Sequence, residues 1–561
     1  MRTFVKVFSF FVLFLVTVDV PVLWAAWIED GSPICMAKGD QLGAGGISDG
    51  VGGAIITWSD GRSGNYDIYA QRVDASGAVL WTADGVAICA ATGDQYVTGI
   101  LSDGVGGAII TWQDYRSGNT DVYAQRVNAS GNVQWTADGV AISTATENQF
   151  SPALISDGAG GAIITWEDYR SGTNDDIYAQ RVDASGVVQW TADGVAIYTG
   201  TGNQSSPRLI SDGVGGAIIT WEDYRSGTND DIYAQRVNAS GAVQWTADGV
   251  AICTATSNQY YPGLISDGVG GAIITWDDYR SGNSDIYAQR VNASGVAQWT
   301  ADGVAICTAT GGQQGQQYSK LISDGAGGAI ITWEDYRSGN YDIYAQRVDA
   351  SGAVLWTADG VAICTAARTQ SGSQLTSDGA GGAIITWSDG RSGTNYDIYA
   401  QRANASGAIQ WTADGVAICT AYGDQLGAGG ISDGVGGAII TWDDYRSGNY
   451  DIYAQRVPAG ITDVPLTSKA PTGLSQNVPN PFNPLTRVTF SMAVPGEVSL
   501  RIYDIAGRML RTLAEGWREP GMYSEVWDGR GDDGIVLPSG VYFYSLKAGG
   551  VVATKKMVLL K

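Results

Sequence analysis

Ile-Ile-Thr-Trp occurs eight times in this chain, with its tryptophan at Trp58, Trp112, Trp166, Trp221, Trp276, Trp333, Trp387 and Trp442. The successive spacings are 54, 54, 55, 55, 57, 54 and 55 residues. So regular a period means one supersecondary unit copied in tandem, whose copies must bury each other's apolar faces. Near-identical units also carry little information about any single special site.

One unit reads as four strands. In the second copy, Tyr96–Ser102 leads into the glycine-rich turn Asp103–Gly107, and Ala108–Trp112 is a β-branched, aromatic run. Asp114–Asn119 is a polar loop and Asp121–Val127 a third strand. Asn128–Gly131 is a hairpin turn, and Asn132–Ile142 supplies the fourth strand. No window shows helical periodicity. The fold class expected is all-β, built of four-stranded antiparallel meanders.

Such meanders, repeated eight times, resemble the blades of a β-propeller. The ends of the array sharpen the likeness. The Trp-x-x-Asp-Gly segment of the fourth strand occurs at Trp81, Trp135, Trp190, Trp245, Trp299, Trp356 and Trp411 only, and the eighth unit runs out at Val457-Pro458 without it. Its counterpart stands at Trp27–Cys35. The expectation is an eight-bladed propeller over residues 27–458 whose last blade is completed by the N-terminal strand, which removes open sheet edges.

Residues 1–26 read as a secretory signal peptide: Arg2 and Lys6, then the 12-residue apolar run Val7–Val18, then Ala25 and Ala26 near a cleavage point. No other segment is long and apolar enough for a membrane-spanning helix, so the mature chain is expected to be exported, secreted or surface-attached. Net charge is −24, while residues 475–561 hold ten basic and eight acidic groups; the acidity lies in the repeats and argues against nucleic acid. There is no histidine, which excludes Ser-His-Asp and Cys-His mechanisms and histidine metal sites. Cys35, Cys89, Cys253, Cys307, Cys364 and Cys419 share one repeat position and are expected as small buried residues without disulfides.

Every copy has Asp two and Arg four residues after its tryptophan, and an Arg at the end of its third strand. Asp60, Asp67, Asp114 and Asp121 are candidate calcium ligands, since acids and loop carbonyls suit that ion. The competing reading is a turn held by an Asp–Arg pair. A Gln precedes each tryptophan by 17 residues, from Gln41 through Gln316 to Gln425, and is expected to bond backbone between units. Asn128, Asn238, Asn292 and Asn404 stand in glycosylation sequons, but Asp replaces them in sister copies, so turn geometry explains the position. No cofactor is implied.

The copies differ at Gly311–Lys320, at Gly61 and Gly390, and at Ala367–Ser373. None assembles a nucleophile with a base, so the chain is expected not to be an enzyme. A catalytic reading, as a polysaccharide hydrolase or lyase, would need an asymmetric pocket with paired carboxylates near Gln313–Lys320.

Beyond a linker at 459–476, residues 477–561 lose the repeat and read as short strands of a β-sandwich. Asn477–Pro484 (NVPNPFNP), Val498–Arg508, Trp527-Asp528-Gly529, Ser539–Tyr544 and Lys555–Lys561 resemble the C-terminal sorting domain of type IX secretion substrates and the related Ig-like domain of flagellar hook-capping proteins. The resemblance implies delivery by an outer-membrane secretion machine, with Lys555, Lys556, Met557, Val558, Leu559, Leu560 and Lys561 as the sorting signal. The function expected is an exported binding or adhesion scaffold with a glycan or protein ligand; a purely structural surface repeat is the other non-catalytic reading.

Overall fold

A computed structural model describes residues 27–310, 313–314, 320–460, 473–474, 476–477, 480–492, 496–518, 521–548 and 550–560. The predicted signal peptide and most of the predicted linker lie outside the described residues.

The repeats form eight antiparallel sheets, and the described residues contain no helix. The second is typical: Gln95–Ser102, Ala108–Asp114, Asp121–Val127 and Val140–Ser143 pair in sequence order. Its second strand is buried over nearly its whole length, as a strand covered on both faces must be. The fourth strand is shorter than the sequence suggests. Asp138 and Gly139 adopt positive φ of 59° and 88°, which turns the chain after Trp135 and leaves only four residues to pair. Each tryptophan of the second strand is buried against the preceding sheet, so apolar clusters alternate with sheets rather than forming one centre.

The eighth sheet draws its fourth strand from the other end of the chain. Ser32–Cys35 pairs antiparallel with Asp451–Val457, beside Ala438–Asp444 and Gln425–Ser432. The supporting contacts reproduce those of the other copies. Arg446 donates to the Asp30 carbonyl at 2.6 Å as Arg62 donates to that of Asp84 at 2.7 Å. Gly31 lies on Trp442 as Gly85 lies on Trp58, so close that a Cβ at either would strike the indole. Trp27 Nε1 donates to Ala75 of the first sheet at 3.1 Å, as Trp81 does to Ala129 of the second.

The sixth sheet departs from the pattern. Gln313–Gln314 and Lys320–Ser323 both pair with Ala329–Asp335, and Gln313 stands opposite Asp335. The repeat glutamine is therefore Gln313, not Gln316, which lies outside the described residues. Elsewhere the glutamine amide caps its own turn (Gln95 Nε2 to Gly93 O, 2.8 Å), and its backbone N–H, not its side chain, reaches the previous sheet (Gln95 N to Tyr66 O, 2.7 Å). All six cysteines are buried, and none forms a disulfide.

The C-terminal module is a small all-β domain of two sheets. One joins Gly473–Leu474, Thr486–Met492 and Gly521–Trp527; the other has the order Met509–Arg518, Gly496–Tyr503, Gly540–Ala548, Val551–Leu559. Between them Trp527 packs against Phe482 and Tyr542.

Candidate functional site

The repeated Asp–Arg pair is the first candidate. Asp60, fully buried, accepts from Trp58 Nε1 (2.7 Å), Arg62 N (3.0 Å), Arg62 Nε (2.8 Å) and Arg62 Nη2 (2.6 Å). The Arg62 guanidinium lies over the Tyr69 ring at 3.9 Å, and its Nη2 also meets Cys35 Sγ at 3.3 Å. Asp114 with Arg116 repeats the arrangement, and so does every other copy of this pair. Four donors already satisfy each carboxylate. Asp67 and Asp121, opposite Asp60 and Asp114 in register, accept from Asn65 (2.9 Å) and from Ser117 and Asn119 (2.7 and 3.1 Å). Among the described residues no three His, Cys, Asp or Glu side chains converge to hold a metal. The sequon asparagines accept from their own turns, Asn128 Oδ1 from Ser130 N and Asn132 N.

The third-strand arginines form a second repeated set. Arg72 pairs with Asp49 at 2.9 Å and reaches the Ala129 carbonyl of the next sheet at 3.1 Å. These two sets occupy sixteen of the twenty Lys and Arg residues between positions 27 and 460. They are framework.

Two of the positions that vary between copies face the next sheet in the array. The residue after each tryptophan is Ser59, Gln113, Glu167, Glu222, Asp277, Glu334, Ser388 or Asp443. Several of these strap one sheet to the bulge of the next sheet's first strand. Glu167 Oε1 accepts from Ser206 N (2.8 Å), Glu222 Oε1 from Tyr261 N (2.6 Å), Glu334 Oε1 from Gly372 N (2.6 Å), and Asp443 from Gly43 N and Ala44 N (2.9 and 3.2 Å). Ser206 and Tyr261 take positive φ of 55° there. Asp277 Oδ1 has no hydrogen-bond partner among the described residues.

Sheets three to six thus carry four consecutive buried or half-buried acids. Burial pushes the Asp277 carboxyl well above the usual range, and Glu222 and Glu334 on either side push it further. Burial lifts Glu334 to about 7 against the strap to Gly372, and raises Glu167 and Glu222 as well. The second variable position, opposite the threonine before each tryptophan, is Gly45, Gly99, Ala153, Arg208, Gly263, Lys320, Gln374 or Gly429. Its two cations belong to the same sector as the acids, and Glu167 and Glu222 are the charges that act on Arg208.

On the fourth and fifth sheets an open groove of about 650 Å³ is lined by Thr228, Asn229, Thr256, Ser257, Asn258, Tyr260 and Tyr279. The Tyr260 and Tyr279 rings meet edge to face at 5.8 Å. Sequence reasoning centred on residues that every copy shares and passed over Glu222, Asp277, Glu334 and Arg208. Setting the eight copies side by side and reading their differences would have found them.

In the C-terminal module, Lys555–Leu559 lie in the last strand and Leu560 follows it; Lys561 lies outside the described residues. Met557 and Leu559 are buried and Lys556 is exposed. The Asn-Pro-rich segment clamps this strand. Asn480 Oδ1 accepts from Val558 N (2.8 Å), while Phe482 exchanges backbone bonds with Val558 and Leu560 (3.0 and 2.9 Å).

The FlgD Ig-like domain model matches residues 483–550. No curated protein matches the chain. Among solved structures, similarity extends to a PL25 ulvan lyase (11% identity, 64% of this chain and 91% of that one, TM-score 0.41). It extends also to a protein of unknown function from Dyadobacter fermentans (10%, 55% and 94%, 0.33). A third is PorZ, a surface component of the type IX secretion system of Porphyromonas gingivalis (12%, 93% and 75%, 0.22). Likenesses this distant establish no shared activity.

Proposed function

We propose that the chain is an exported binding scaffold shown at the cell surface: a closed eight-bladed propeller carried out by its C-terminal sorting module. The observation that carries the binding role is the broken symmetry. Sixteen ion pairs repeat without exception, while charge at the variable positions is densest in sheets three to six, two of which carry a tyrosine-lined groove. Aromatic faces beside amide and hydroxyl groups suit a saccharide or peptide ligand. The pairing of Ser32–Cys35 with Asp451–Val457 supports closure. The Ig-like match and the clamped final strand support the sorting role.

The test is fractionation and surface labelling in the native host, with the full chain and with residues 477–561 removed, plus a glycan array of the purified repeats with and without Ca²⁺. The full chain is expected outside the cell and the truncated chain inside. Equal distribution of the two would overturn the sorting role.

A second reading, a polysaccharide hydrolase or lyase, draws on the raised carboxyl of Asp277 between Glu222 and Glu334. Against it, Asp277 and Glu334 are only 1% and 2% exposed, so reacting atoms could not meet them without movement of the inner strands. Release of reducing or unsaturated ends by the wild type, lost in Glu222→Gln, would favour it.

A further inference from the structure

Of the twenty basic residues between 27 and 460, four stand outside the ion pairs of the framework: Lys38, Arg208, Lys320 and Arg368. Lys38 and Arg368 belong to loops. Arg208 and Lys320 occupy the same register position on the first strands of the fourth and sixth sheets, opposite Thr220 and Thr332. Between them the fifth sheet presents Gly263, opposite Thr275, and so contributes no side chain of its own at that level.

Both cations are half-buried. Arg208 donates only to the neighbouring Pro207 carbonyl, at 3.0 Å. Lys320 makes no hydrogen bond or ion pair among the described residues. Burial and then the Arg208 charge pull its ammonium below the usual lysine range, and no carboxylate acts to restore it. Glu334, on the adjoining strand of the same sheet, accepts from Gly372 N at Oε1 and is not among the charges that act on Lys320. Lys320 is thus a cation with no counter-charge among the described residues, near enough to Arg208 to be affected by its charge, and a bound anion would supply that counter-charge. The fold does not require it, because glycine, alanine and glutamine fill the same position in the other sheets.

We infer that Arg208 and Lys320 together bind the anionic groups, carboxylate or sulfate, of an acidic saccharide across the fifth sheet at Gly263. A planar guanidinium grips such a group with two parallel bonds, and the ammonium opposite adds a point charge. Glu167 and Glu222, whose charges act on Arg208, accept from sugar hydroxyls. This assignment rests on the binding role proposed above and names its ligand class.

The test is titration of the full chain with oligogalacturonate, with a sulfated dextran oligomer, with neutral maltohexaose and with inorganic sulfate. Arg208→Gln and Lys320→Gln place at each position a residue that Gln374 already holds, so the fold is expected to survive, and unchanged circular dichroism checks it. One or both acidic oligomers are expected to bind, each substitution to weaken binding at least tenfold, and Arg368→Gln to leave it unchanged. Which oligomer binds distinguishes carboxylate from sulfate. Lysine-selective NMR supplies a second readout: the Lys320 resonance is expected to titrate at higher pH once the oligomer is bound. Binding of maltohexaose with equal affinity in all variants would overturn the acidic ligand yet keep the scaffold's binding role. Binding of inorganic sulfate alone, or of no probe at millimolar concentration, would overturn the assignment too.

Discussion

Whether the repeats behave as a closed ring turns on a single short strand, and one residue in it gives a quantitative test. Ile34 is 2% exposed in Ser32–Cys35, and Ile88 is 2% exposed in the corresponding strand of the first sheet. Ile34 packs among Ile56 and Trp58 of the first sheet and Ile439 and Ile452 of the eighth. Ile88 packs among Ile55, Ile68, Ile110 and Trp112 in the same relation one sheet on. Truncation of a buried isoleucine to alanine removes transfer energy and leaves a cavity, about 2–5 kcal/mol together. If Ile34 holds the first and eighth sheets as Ile88 holds the first and second, Ile34→Ala and Ile88→Ala should lower stability by similar amounts, roughly 3 kcal/mol each. Urea unfolding followed by tryptophan fluorescence measures this, with unchanged slope as the sign that the unfolding unit is the same. A strand that frays would give another pattern: Ile34→Ala within about 0.5 kcal/mol of wild type while Ile88→Ala bears the full cost. That outcome, or proteolysis that clips residues 27–37 without loosening the rest, would refute the reasoning.

Two further outcomes are expected. Burial raises the thiols of Cys89, Cys253, Cys307 and Cys364 to about 12 and that of Cys419 well above the usual thiol range, so Ellman's reagent at pH 8 should find no reactive thiol in the native protein and six after denaturation. Glu334 titrates near 7 and Asp443 near 6 in the folded chain, both above their unfolded values, so each contributes stability that is full below about pH 4 and is lost as pH rises through the folded value. The urea midpoint should therefore fall between pH 5 and pH 8, by an amount on the order of 2–3 kcal/mol for Glu334, and Glu334→Gln should flatten that part of the profile.

Much of the fold was legible because each sheet is built from local signals. The Asp-Gly-Val-Gly-Gly and Asn-Ala-Ser-Gly turns, the Ala-Ile-Ile-Thr-Trp run and the orphan strand at Trp27 each announce their place. The misreadings share a cause. Asn132–Ile142 reads as one strand by composition, but Asp138-Gly139 sits in the left-handed region and divides it. Gln316 has the right sequence distance from Trp333, yet register, not distance, selects Gln313. The glutamines serve their own turns because their amides fall within reach of the carbonyl two residues back. The acidic sector was illegible for a different reason. Glu222 meets Tyr261, and Lys320 meets the field of Arg208, across sheet boundaries that no pattern within one unit encodes.

The same contrast explains where specialisation can accumulate in such an array. Asp60 and Arg62 bind each other, the indole of Trp58 and the turn at Asp84, so a change at any one leaves a buried partner unsatisfied. Eight copies of that network leave little freedom at those positions. The residue after each tryptophan and the residue opposite each threonine are under no such constraint. The residue after each tryptophan faces the first strand of the neighbouring sheet, where a serine hydroxyl, a glutamate or an aspartate each meets the same backbone N–H requirement, as Ser59, Glu222 and Asp443 do. Charge can be added there one sheet at a time without disturbing the sheet that carries it. The acids from Glu167 to Glu334, with Arg208 and Lys320 in the same four sheets, are where these copies depart furthest from one another in charge.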